Sequence, residues 1–250
     1  MSGHSKWSTI KRKKGKLDEE RGKMFTKLIR EITVAAREGG GDMESNARLR
    51  TAVSAAKAAN MPADNIKRGI LKGTGELEGV HYEQSTYEGY GPGGVAILVE
   101  TLTDNKNRTV AEIRHRFTHH GGSLGEVGCV GWMFDKKGYI TVEKSGVDED
   151  ELMERVLDLG ASDFQSGSDV YEIYTEFGDF ERIRTALERG GIRIASAEVS
   201  MIPQTTIKLE GKQAEQMIKL YEELEDHDDV QKVFANFDID ESILIKLSEE

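Results

Sequence analysis

The order of hydrophobic periods after residue 80 limits the possible folds more than any other feature. Apolar residues there recur alternately at every second position and at helical spacing. Strand patterns fall at 83–90 and 94–102, a helical pattern at 106–119, and strands at 129–135 and 138–144. Helix 149–159, strands 162–166 and 170–175, helix 178–190 and strand 193–202 follow. The pattern closes with strand 205–209, helix 211–226 and strand 230–237. Residues 138–202 alone read strand-helix-strand-strand-helix-strand, a complete split βαβ unit. With that stretch removed, 94–135 joined to 205–237 gives the same order again. The expected architecture is two ferredoxin-like α+β domains, one inserted in the other, with the strand at 83–90 as an added edge. A linear tandem with a swapped boundary is the alternative.

The preceding third has only helical periods. Asp18, Glu19 and Glu20 suit the start of a helix, because carboxylates are favoured at its positive end. Phe25, Leu28, Ile29, Ile32 and Ala36 form one face of it. Lys23, Lys27, Arg30 and Arg37 form the opposite face, and Gly39-Gly40-Gly41 ends it. A second helix spans about 46–59, with Leu49, Ala52, Val53, Ala56 and Ala59 inward. A third begins near Pro62, buries Ile66 and Ile70, and exposes Lys67, Arg68 and Lys72. The fold class is thus α+β multidomain, an N-terminal three-helix bundle followed by the two nested units. The domain bounds read from the sequence are 1–80, then 81–136 plus 203–240, with 137–202 inserted.

Charge divides along the same boundary. The whole chain carries a formal net charge of −11. Residues 1–80 hold 17 basic and 10 acidic side chains, a net of +7, and the remainder is −18. Lys6, Lys11, Arg12, Lys13, Lys14 and Lys16 lie close together with no acid among them. Such an arm seeks phosphate. Trp7 is interleaved with it and either stacks on a base or packs against the bundle. The Lys23, Lys27 and Arg30 stripe continues the charge of the arm, so arm and helix read as one nucleic-acid-binding surface.

Other motifs argue against catalysis. Gly89 to Gly94 matches G-x-G-x-x-G, but a strand follows where a dinucleotide site needs a helix, so a turn explains the glycines. His115 and His119 lack the glutamate of a zinc-protease helix, and the neighbouring arginines repel a cation. No metal site is expected. Cys129, the one cysteine, reads as a buried thiol opening an apolar strand and points to a reducing compartment. Lys137-Gly138-Tyr139 opens like an RNA-recognition signature but lacks the stacking aromatics that follow. Glu222 to Asp229 reads as a solvated helix end. One loop stands out, Thr103 to Thr109. Asn105, Lys106, Asn107 and Arg108 stand where a strand passes into a helix, a place for a second anion or RNA contact or for a capped turn. No cofactor, membrane span or small-molecule substrate is expected, and the compartment read is cytoplasmic.

Several stretches resemble the YebC/PmpR family of transcriptional regulatory proteins. They are Ser2 to Trp7 followed by Ile10 to Lys14, Phe25 to Ile32, Asn60-Met61-Pro62, Tyr87 to Gly94, Thr103 to Thr109, Asp229 to Val233, and Asn236. The resemblance spans essentially the whole chain. It implies a helical N-terminal domain with two α+β domains, and a cytoplasmic DNA-binding regulator. Mitochondrial relatives act in translation and some bacterial members are linked to stalled ribosomes, so ribosomal RNA is the alternative partner. A protein-interaction scaffold is a third reading. The function expected is a non-enzymatic, nucleic-acid-binding regulator.

Overall fold

The computed structural model describes Trp7 and residues 17–247. The first three helices are α1 (Leu17–Gly39), α2 (Ala47–Ala58) and α3 (Ala63–Gly73). Their alanine-rich inner faces meet around Ile32, Leu49, Val53 and Ile66. Asn46 joins two of them. Its side-chain oxygen accepts from Leu49 N at 3.0 Å, capping α2, and its amide donates to Ala35 O and Gly40 O, both at 2.8 Å. Helix α3 lies close on α1 through glycines. A Cβ at Gly69 would stand 3.0 Å from Ile32 Cγ2, and one at Gly73 only 2.4 Å from the Thr33 carbonyl oxygen.

Two α+β units follow, and the second interrupts the first. The outer unit opens with β1 (Glu83–Tyr90), β2 (Ala96–Thr103), α4 (Lys106–His119) and β3 (Ser123–Leu124). The inserted unit is β4 (Phe134–Glu143), α5 (Glu149–Asp158), β5 (Asp163–Ser166), β6 (Val170–Glu176), α6 (Phe180–Arg189) and β7 (Ile194–Pro203). The chain then returns to the outer unit through β8 (Ile207–Leu209), α7 (Gly211–Glu225), β9 (Val230–Ala235), β10 (Phe237–Ile239) and α8 (Glu241–Leu247).

The inserted sheet has the order β5-β6-β4-β7, wholly antiparallel, which is the ferredoxin arrangement read from the sequence. The outer sheet has the order β3-β1-β2-β9 and departs from that reading. Strand β1 is not an edge; it lies between β2 and β3. The segment 129–135 gives the outer sheet no strand. It forms a loop and a short 3-10 turn, Gly131–Met133, before β4 begins. Strand β8 pairs in parallel with β10, away from the main sheet.

The physical cause is Glu88. Its buried carboxylate accepts backbone N–H bonds from Gly128 (2.8 Å), Val130 (2.8 Å) and Gly131 (2.7 Å). Those donors are therefore unavailable to a ladder. Burial opposes charge on Glu88, yet the three N–H bonds outweigh it and hold its pKa low. The loop leaves Cys129 half-buried instead of buried, and leaves Val127 and Trp132 exposed.

One face of the outer sheet packs on α4 and α7, with Ile97, Val99, Phe117, Met217 and Leu220 fully buried. The other face packs Ala96, Leu98 and Phe234 against Phe134 and Met201 of the inserted unit. Lys232 also donates to Glu198 Oε2 across that junction at 2.9 Å.

Candidate nucleic-acid interface

Lys6, Lys11, Arg12, Lys13, Lys14 and Lys16 lie outside the described residues. Trp7 does not. Its side chain is 2% exposed and sits in the core of the outer unit, with Val95, Ile97, Phe117 and Leu220 in the same cluster. Neither expectation for Trp7 matches this place. The ring is not open for a base to stack on, and it packs in the α+β core instead of on the bundle.

The cations of α1 also have partners. Lys23 Nζ lies 3.4 Å from Asp226 Oδ2, and Lys27 Nζ donates to the Glu225 carbonyl at 2.5 Å. Arg30 Nη1 donates to the Asp228 carbonyl at 2.6 Å and to Asp229 Oδ1 at 2.7 Å. Arg37 donates to the Tyr82 carbonyl. The stripe is therefore docked on the C-terminal end of α7 and the turn after it. That end collects unpaired carbonyls and the negative pole of the helix, so it attracts cations. The acidic run Glu222 to Asp229, read as a solvated helix end, is the seat of the bundle.

The Thr103 to Thr109 loop meets the same turn. Asn105 caps α4, its Oδ1 accepting from Arg108 N at 3.1 Å. Thr103 and Thr109 place their hydroxyls 3.0 and 2.7 Å from Asp229 Oδ2. Arg108 Nη2 reaches the same oxygen at 3.0 Å and Asp104 Oδ1 at 2.7 Å. Lys106 pairs with Glu83 at 2.6 Å, and Asn107 is exposed. The loop does bind an anion, and the anion is the carboxylate of Asp229 in the same chain.

Asp229 is 2% exposed. Burial works against its charge, but the bonds from Thr109, Arg108, Thr103 and Arg30 outweigh that and lower its pKa to about 2. Its backbone N–H donates to His227 Nδ1 at 3.0 Å, which leaves the ring proton on Nε2, 2.7 Å from Glu112 Oε2. Three segments of chain thus converge on one buried carboxylate carried by the turn before β9: α1, the end of β2, and the start of α4.

Among the described residues, no group of three or more His, Cys, Asp or Glu side chains is placed to hold a metal ion. No helix among them is long and apolar enough to cross a membrane. Sequence reasoning did not find Asp229 as a centre or Glu88 as an anchor. A lone acid carries no local signal, and the partners of Asp229 lie up to 199 residues away.

The fold defines a class of proteins in which a helical bundle is latched to two nested α+β units. Two family models place the chain within it. The TACO1/YebC protein N-terminal domain matches residues 5–76, and the TACO1/YebC second and third domain matches residues 82–237. The chain belongs to the TACO1/YebC family. A protein of Pelotomaculum thermopropionicum is 61% identical over 243 residues, 96% of this chain and 100% of its own length. One of Geobacter sulfurreducens is 60% identical over 247 residues, 99% of this chain and 100% of its own length. Both are named as probable transcriptional regulatory proteins. The crystal structure of a conserved hypothetical protein from Aquifex aeolicus has a TM-score of 0.81 and 50% identity. That likeness covers 89% of this chain and 92% of the other.

Proposed function

We propose that this chain is a non-enzymatic regulator of transcription that binds DNA through the phosphate backbone, with the lysine-rich arm as its main contact. The observation that carries the reading is the arm's placement. In sequence, its six basic residues flank Trp7, whose indole is buried in the outer unit, and precede a helix latched to that unit. Polycationic charge is thereby tied to a body whose net charge of −18 repels nucleic acid elsewhere. Lys23, Lys27 and Arg30 act in this reading by setting where the arm emerges. The names of the relatives support the regulatory class. The cytoplasm is the compartment this reading requires.

Replacing Lys11, Arg12, Lys13 and Lys14 by alanine tests the reading. Each phosphate contact adds about 0.9 to the slope of log affinity against log salt on duplex DNA. The fourfold variant is expected to lose affinity and about 3 to 4 units of slope. Unchanged binding would refute the role of the arm. Cross-linking in cells, with sequencing of bound DNA and RNA, distinguishes promoter DNA from ribosomal RNA. Recovery of ribosomal RNA without promoter DNA would replace transcription by translation as the process regulated.

A further inference from the structure

The latch changes which cations of the bundle are open to a partner. Lys23, Lys27 and Arg30 face α7, and Arg37 is held by Tyr82. Arg48 pairs with Glu31 and Glu38, and Arg50 donates to the carbonyls of Met43 and Glu44. Helix α3 is different. Ile66, Gly69 and Gly73 face inward, whereas Lys67, Arg68 and Lys72 are exposed. None of these three has an ion-pair partner among the described residues. The helix holds one acid, Asp64, in its first turn, where it complements the helix dipole.

We propose that the outward face of α3, formed by Lys67, Arg68 and Lys72, is a second phosphate-backbone contact of this protein. The proposal rests on the nucleic-acid reading above and extends it to residues outside the arm. Lys67 to Lys72 spans about 7.5 Å along the helix axis at 1.5 Å per residue. A duplex carries a charge about every 1.7 Å of its axis, counting both strands, so several phosphates fall within an axial length of about 7.5 Å. The face is also rigid. Gly73 lets α3 sit against the α1 backbone, Gly69 leaves room for the Ile32 side chain, and Thr33 Oγ1 reaches the Gly69 carbonyl at 3.3 Å. A cationic surface held in place loses little entropy on binding. Contacts from Lys67, Arg68 and Lys72 to phosphate oxygens carry no sequence information of their own. The contact therefore adds affinity with little choice of sequence.

The test uses the full chain and two labelled probes, a short DNA duplex and a single-stranded RNA of equal length, titrated between about 50 and 200 mM salt. Lys67→Ala, Arg68→Ala and Lys72→Ala are combined. The salt slope is expected to fall by about 2.7 on the duplex and about 2.1 on the single strand. Two duplexes of unrelated sequence should lose affinity equally. Lys67→Arg with Lys72→Arg should keep the parent slope. Lys72→Glu alone, an exposed change, provides a well-folded second variant and should weaken binding more than Lys72→Ala. An unchanged slope in the triple variant, beside a reduced slope in the arm variant, overturns the α3 contact and leaves the nucleic-acid reading intact. Failure of the parent chain to bind either probe overturns both.

Discussion

Asp229 shows how much one side chain can organise when its partners come from distant parts of a chain. Its carboxylate is buried and yet charged, which is tolerable because two arginines and two threonines surround it. The sequence marked Thr103 to Thr109 as a place for an anion contact or for a capped turn, and that was legible because capping residues and cations stood together at a strand–helix junction. It did not say whose anion. The answer lies 120 residues from Thr109, and no local pattern spans that distance. The carboxyl group's pKa falls from an ordinary 3.8 to about 2 in the folded chain. The native state therefore binds fewer protons there, so this contribution is present above about pH 4 and is lost as pH falls through about 2. The shift corresponds to about 2 kcal/mol. Denaturant titrations from pH 5 to pH 2 should show the parent losing about that much more than Asp229→Asn does. At neutral pH the variant should already be about 3 kcal/mol less stable, since Arg30 and Arg108 lose their shared counter-charge. Parallel stability curves for the two proteins across the acid range would contradict the assignment.

At the scale of elements, periodicity told helices from strands well and told strand order only in part. The inserted unit was legible because its six elements follow one another without interruption and pair in the ferredoxin order. The outer unit was not, because the pattern at 129–135 belongs to a loop whose amides bind Glu88, while the edge strand that exists is only two residues long. Alternation of side chains shows that a segment can pair; it does not name the neighbour. Alanines line the inner face of α2, but the close approach of α3 to α1 is made by its glycines. Gly73 is a direct check on that geometry. An added methyl would fall 2.4 Å from the Thr33 carbonyl and 2.6 Å from Ala36 Cβ, and backbone cannot step aside cheaply. Ala is the better helix former by about 1 kcal/mol, so a position with free space would gain stability. Here Gly73→Ala should instead lower the unfolding free energy by about 1 to 3 kcal/mol, measured by denaturant titration. A stabilised variant would show that α3 stands farther from α1.

Across the whole molecule, a body of −18 and a first third of +7, arm and bundle together, are joined at opposite charges, with the acidic end of α7 against the basic face of α1. Some of the polarity legible in the sequence is therefore spent on joining the parts, and only the remainder is open to a partner. Trp7 separates these two roles. It carries no charge, so it contributes no phosphate contact, yet it ties the arm to the core of the outer unit. Trp7→Ala should open a cavity and cost about 3 to 5 kcal/mol of stability, as large-to-small changes of buried aromatics do. Its effect on binding should differ in kind from that of the arm lysines. All the cations remain, so the number of phosphates neutralised and the salt slope remain. What is lost is the buried anchor at Trp7, so affinity should drop by a similar factor at every salt concentration. Trp7→Phe, which keeps most of the buried ring, should recover most of both. Parallel lines displaced downward on a plot of log affinity against log salt are the expected result for Trp7→Ala. A flatter line would mean that the anchor also governs which lysines reach phosphate, and a coincident line would mean that the arm binds without being held.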